Sequence, residues 1–298
     1  MNESLSFMCD KASFAAASIK DDTHSFIAYY DDTMLEAAIK YKTIVDEFDD
    51  AIKAGEFKMY LQPQISAKTR RLTGAEALVR RIKPDGTIIS PIDFIPVYEK
   101  SGLISRLDRY IWEQAAAKLG EWKKAGINMS ISVNISPKDF YYIDIFNTFA
   151  GLIKKYDIEP SNLKIEITET TIMSDVPNLM GELEELRKAG FTLEMDDFGS
   201  GYSSLNTLKD INVDVLKVDM GFIKETKNVK KSRIILASVI KMAKELNLLI
   251  ITEGVETEEQ VDNLTKLGCD VFQGYYFSKA IDVNEFEKRY LYLSLIHI

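Results

Sequence analysis

The sequence predicts an α/β fold, a modified (β/α)8 TIM barrel with one antiparallel strand, on three observations. Short apolar strands alternate with longer amphipathic helices from about residue 56 onward. The first two strands are joined by a link too short for a helical crossover. Nearly every strand then ends in an acid or an amide, which suits a barrel whose strand ends converge on one functional face.

The first strand, Phe57 to Ile65, and the second, Gly74 to Arg81, are separated by the polar turn Ser66–Leu72, so they form a hairpin. Helices are expected at 91–100 and 105–125, a strand at 129–135, a helix at 137–156 and a strand at 163–168. A helix at 176–189 precedes strands at 191–195 and 214–218, followed by a helix at 231–246 and a strand at 248–252. A helix at 257–267, a strand at 270–273 and a helix at 282–291 complete the series. Upstream, Leu35, Ala38, Ile39, Val45, Phe48 and Ile52 recur at helical spacing and predict one long amphipathic helix ending at Gly55, which either packs or transmits a signal.

Composition narrows the chemistry. The 298 residues are 46% hydrophobic and 28% charged, a globular balance, and the longest uncharged apolar runs are too short to span a bilayer. A net charge of −9 opposes a generic polyanion-binding surface, so bulk nucleic acid and acidic membranes are not expected partners. Two cysteines, Cys9 and Cys269, and no signal-peptide pattern indicate a reducing cytoplasm. The only histidines, His24 and His297, lie near the two ends, which argues against a Ser–His–Asp triad or a His-rich zinc site. Chemistry must therefore fall to carboxylates, amides, lysine or hydroxyls.

The strands end as GAEAL with Glu76, ISVNIS with Asn134, KIEITET with Glu166 and Glu169, and LEMDDFGSG with Asp196 and Asp197. Next come VLKVD with Lys217 and Asp219, IITEGVE with Glu253 and Glu256, and DVFQG with Gln273. Gathered at one mouth, these acids repel unless paired, protonated or bound to metal, and Lys217 alone cannot balance them. An all-oxygen set with an amide suits Mg²⁺ or Mn²⁺, and two such ions would let an acidic protein act on a phosphate ester. Taken singly, each acid could equally be a helix cap or a surface ion-pair partner, and Asn134 could merely precede a helix. The Asp197–Gly201 loop suits a phosphate cradle or a mobile lid. A kinase reading of Asp197-Phe198-Gly199 lacks the accompanying motifs. Arg80 and Arg81 could be ordinary surface cations, but alternation puts Glu76, Leu78 and Arg80 on one side, making Arg80 the better phosphate contact.

In this order the segments resemble the EAL-domain family of cyclic-di-GMP phosphodiesterases, from Ile44 to Leu291, with Glu76-Ala77-Leu78 as the name-giving triplet followed by Val79-Arg80. The resemblance implies a barrel with one antiparallel strand, two Mg²⁺ or Mn²⁺ ions, and hydrolysis of cyclic-di-GMP to linear pGpG. By the same resemblance Glu76, Asn134, Glu166 and Asp196 would hold a first metal, and Asp196, Asp197 and Glu253 a second. Lys217 would position the attacking water, and Glu253 could instead be the general base, so Glu253, Lys217 and Asp196 form the catalytic set. Gln62, Leu78, Arg80, Glu256 and Gln273 would contact substrate or orient the metal shell. Glu169 would anchor the Asp197–Ser204 loop, which in this family leads to a homodimer interface. Arg81 stands where Trp is common, Tyr98 replaces a small residue and Ala280 replaces Pro; these departures bear on substrate affinity more than on chemistry.

The expected domain organisation is a C-terminal remnant of a GGDEF-like domain at 1–33, resembling the last helix and a strand over 25–31 of such domains. A connector helix at 34–55, the EAL domain at 44–292 and a non-native tail at 293–298 follow. A full-length protein could be tethered to a membrane through regions outside this sequence. Two further readings stay open: a non-catalytic cyclic-di-GMP receptor, and an enolase-type barrel enzyme that abstracts protons.

Overall fold

The computed structural model describes residues 4–19, 27–174, 176, 178–198, 208, 211–221 and 229–292. Its strands are β1 (Phe57–Ser66), β2 (Leu72–Ile82), β3 (Ile88–Ile89), β4 (Ile131–Ile135), β5 (Leu163–Thr168), β6 (Leu193–Asp196), β7 (Val215–Asp219), β8 (Leu249–Glu253), β9 (Val271–Phe272) and β10 (Ile281–Asp282). The ring runs β1–β2–β4–β5–β6–β7–β8–β9 and closes back on β1, with β3 and β10 as short outer additions. β1 is antiparallel to β2 and to β9, and the pairs from β2 through β9 are parallel. This is the modified barrel the sequence predicts.

Period-two alternation divides each central strand between two environments. Ile131, Val133 and Ile135 on β4, Ile165 and Ile167 on β5, and Leu193 and Met195 on β6 are buried against the surrounding helices. Helix α5 (Ile104–Lys124), which follows α4 (Pro91–Ser101), seals one side of that layer with Leu107, Trp112, Ala115, Leu119 and Trp122. The Trp112 ring lies 4.9 Å from Phe149, on α7 (Ile145–Tyr156), and its indole N–H donates to the Asn134 carbonyl at 2.9 Å. A packing residue thereby fixes the main chain of a site residue.

Several predicted helices prove to be broken. The long upstream helix is two, α2 (Asp32–Asp46) and α3 (Phe48–Lys53), with a bend at Glu47. That bend turns Phe48 and Ala51 into the core and aims the Glu47 carboxylate at Arg81 Nη2, 2.7 Å away. Ile44 is buried instead of Ile39, which is 56% exposed. Arg81 is no surface cation: it is 3% exposed and its Nε also reaches Glu56 at 2.9 Å. The helix predicted over 137–156 splits into α6 (Asp139–Tyr142) and α7 because Asp144 caps the second, its carboxylate accepting from the Asn147 N–H. Likewise only Val283–Phe286 of the helix predicted over 282–291 is α-helical, the chain then continuing in a wider turn to Tyr292.

At the other end, α1 (Leu5–Ser18) forms where a helix is expected, but residues 27–31 do not form the expected strand. Ile27 and Tyr29 are exposed, and among the described residues no strand pairs with them. His24, His297 and the segment 293–298 fall outside the described residues. Among the described residues no helix is long and apolar enough to cross a membrane.

Candidate active site

The strand ends bring most of the predicted residues to one centre, organised around Lys217. Its side chain is fully buried on β7. Nζ lies 2.9 Å from Glu166 on β5, 2.8 Å from Glu253 on β8, and 3.4 Å from both Glu76 on β2 and Asp196 on β6. Burial opposes the ammonium charge, yet Glu166, Glu253, Glu76 and Asp196 outweigh it and hold Lys217 well above the usual lysine range. Four carboxylates share one cation, so the centre carries excess negative charge.

The carboxyls respond to that excess. Burial, reinforced by Glu76, keeps Glu166 well above the usual carboxylate range against the pull of Lys217. Glu253 is pushed up to about 8 by burial, with Lys217 opposing and Asp196 adding to the rise. Asp197, raised by burial and by Asp196, has a left-handed backbone (φ 56°) and donates its N–H to Asp196 Oδ1 at 2.9 Å. Such strain in a non-glycine residue clusters at functional sites. Glu166 Oε1 is buried with no hydrogen-bond partner.

Amides surround Glu76. Asn134 Nδ2 donates to Oε1 at 3.3 Å, and Gln273 Nε2 donates to Oε2 and also to Gln62 Oε1 at 3.3 Å. Gln64, which carried no expectation, donates to Gln273 Oε1 at 3.2 Å. Gly274 allows this placement, because a Cβ there would lie 2.2 Å from the Val255 carbonyl. Gln62, Leu78, Glu256 and Gln273 line a cavity of 390 Å³ above this centre, together with Tyr275 and Asp219. Arg80 lines a second cavity of 260 Å³ on the other side of Leu78, with Asn134, Ile135 and Pro137. The predicted substrate contacts are thus divided between two adjoining cavities.

Asp197 stands at the mouth beside Asp196, and Glu169 is buried at the head of α8 (Glu169–Met173). The loop Glu169 is expected to anchor lies, from residue 199, outside the described residues. Beneath Glu166 sits a buried group that carried no expectation: Glu194, held by Lys164 and Ser132. Its signal was present in the sequence, since Glu194, Lys164, Ser132 and Gln64 each stand two residues from a predicted site residue on the same strand.

The EAL domain model matches residues 45–280. The chain belongs to the EAL domain family. Within that family it is 36% identical over 239 residues to the signalling protein YkoW of Bacillus subtilis, covering 80% of this chain and 30% of that protein. It is 31% identical over 267 residues to MucR of Pseudomonas aeruginosa, named a bifunctional diguanylate cyclase/cyclic di-GMP phosphodiesterase, covering 89% and 39% respectively. The chain therefore spans about a third of the length of these curated relatives. Among solved structures, the PaMucR phosphodiesterase in complex with c-di-GMP superposes with a TM-score of 0.76 at 32% identity, covering 82% of this chain and 99% of that one.

Proposed function

We propose that this EAL domain hydrolyses one phosphodiester of cyclic-di-GMP to give linear pGpG, with Mg²⁺ or Mn²⁺ at two positions in the site. The observation that carries the reading is the set of four carboxylates around buried Lys217, which leaves a charge deficit that divalent cations would fill. The donors fit a hard cation: they are all oxygens, and Glu166 Oε1 is buried without a hydrogen-bond partner. Among the described residues no three acid, histidine or cysteine side chains converge on an open point as they stand, since Lys217 occupies the centre. Glu76, Asn134, Glu166 and Asp196 would hold one ion, and Asp196, Asp197 and Glu253 the other. When bound, such ions supply a hydroxide nucleophile near neutral pH and neutralise charge on the phosphate.

This chain's own residues would do the rest. Lys217, within reach of four acids, would hold the attacking water by hydrogen bonding and keep it in line with phosphorus. Alternatively to holding the second ion, Glu253, pushed up to about 8 by burial, would take the proton of that water. Arg80 would meet the charge developing on the phosphate, while Gln62, Glu256 and Gln273 orient the substrate. Two cavities on either side of Leu78 suit a ligand with two bases. Glu169 would tie this site to the loop that follows Asp197, and through it to a second copy of the domain. Residues 1–33 are read as the end of a GGDEF-like domain, and the bent pair α2–α3 as its connector to the barrel.

The test is incubation of purified protein with cyclic-di-GMP and Mn²⁺ or Mg²⁺, resolving nucleotides by chromatography. Accumulation of pGpG is the expected result. Tight binding of cyclic-di-GMP without turnover would replace this reading with that of a receptor.

A further inference from the structure

The 390 Å³ cavity above the Lys217 centre lacks a cation in its walls. Among the described residues it is lined by four acids, Glu76, Asp219, Glu253 and Glu256, and by no lysine or arginine. Arg80 opens instead into the second cavity. A cyclic dinucleotide carries two phosphodiesters, each with a negative charge, and only one is cleaved. Charge complementarity therefore calls for a further cation close to the first cavity.

One stands at its rim. Tyr275 lines this cavity and is 63% exposed, and Lys279 Nζ lies 5.1 Å from the centre of its ring. Such a contact restrains a flexible side chain while leaving ammonium N–H groups open to a ligand. Lys279 is itself exposed, and among the described residues its partner is the Tyr275 ring rather than an acid.

The backbone that carries both residues is fixed. Gly274 passes tightly against Val255, and the Ser278 N–H donates back to the Gly274 carbonyl at 3.1 Å. Gln62 Nε2 donates to the Ser278 carbonyl at 3.2 Å, and Ser278 Oγ donates to the Lys279 carbonyl at 2.7 Å. Because Gln62 Oε1 also accepts from Gln273, the turn bearing Lys279 and the amides around Glu76 share one network. Lys279 thus has a set position relative to the carboxylates although it stands outside them.

We propose that Lys279, poised over Tyr275, binds the phosphodiester of the dinucleotide that is not cleaved, while Arg80 serves the one that is. This rests on the reading of the site as a cyclic-di-GMP phosphodiesterase. A contact made equally in the bound substrate and in the transition state strengthens binding without speeding chemistry, so Lys279 should act on KM and leave kcat alone.

The experiment measures initial rates of pGpG formation with Mn²⁺ for wild type, K279M and K279R over a range of cyclic-di-GMP concentrations. Lys279 is exposed, so both variants should fold as wild type does. K279M should raise KM roughly fivefold or more with kcat within about twofold of wild type, and K279R should restore KM to within about twofold. Bis(p-nitrophenyl) phosphate, which has a single phosphodiester, should be hydrolysed equally by wild type and K279M. A smaller rise in KM, a loss carried by kcat, or a K279R no better than K279M would overturn the proposal, as would an equal loss on the single phosphodiester. Absence of turnover by wild type would instead overturn the hydrolytic reading; the dissociation constant of cyclic-di-GMP, measured by calorimetry, would then test Lys279 by the same factors.

Discussion

The two faces of the same barrel strands have opposite characters. On β5, Ile165 and Ile167 face the helices while Lys164 and Glu166 face the interior, and β4 and β6 repeat the pattern. The outward face lowers free energy by removing apolar area from water. The inward face does the reverse, holding ionisable groups out of water around Lys217 and Glu194. Stability and function are therefore separable by strand parity, and neighbouring substitutions should break different things.

Lys217→Ala should have the largest effect, lowering turnover of cyclic-di-GMP by roughly 10²-fold or more, because the site loses both its central donor and the cation that its four carboxylates share. A near-normal rate would remove Lys217 from the reaction. On β5 the parity contrast can be tested directly. Ile165→Ala should cost about 2–5 kcal/mol in urea unfolding while the remaining folded protein keeps its turnover number. Glu166→Gln should abolish turnover yet leave the unfolding midpoint unchanged or higher, since a neutral amide replaces a carboxyl that burial already pushes toward its neutral form. The comparison fails if both substitutions shift the same observable.

Arg81→Met probes a third case, a charge that serves structure. It should cost about 3 kcal/mol, because Glu56 and Glu47 would lose their shared partner. Folded variant protein should still bind Mn²⁺ as wild type does in a calorimetric titration.

The interior also predicts a pH dependence. Glu253, held protonated up to about 8 in the folded state against an ordinary value of 4.5, adds stability that is complete below pH 4.5. That stability is lost as pH rises toward 8, so chelated protein should be progressively easier to unfold in urea between pH 5 and about 8. Glu253→Gln should flatten this part of the profile. The smallest effect concerns the thiols. Cys269 is buried and pushed up to about 11, whereas Cys9 is exposed, so native protein should react with one equivalent of a thiol reagent and unfolded protein with two.

The barrel was legible because its strands carry a strong period-two signal and the hairpin link is too short for any other pairing. The Lys217 centre was legible because polar residues close one strand after another. Less visible were the helix breaks at Glu47 and Asp144, which depend on tertiary partners such as Arg81 and on single capping bonds. Glu194 escaped notice because it precedes the strand end rather than closing it. Arg81 looked like a surface charge because its acid partners, Glu47 and Glu56, lie 34 and 25 residues away in the chain.

The most direct measurement is turnover of cyclic-di-GMP by chelator-treated protein before and after Mn²⁺ is restored. The proposed role of divalent cations at this centre predicts no pGpG with chelator and recovery of turnover on adding metal. Undiminished turnover with chelator present, or none after metal is restored, would contradict it.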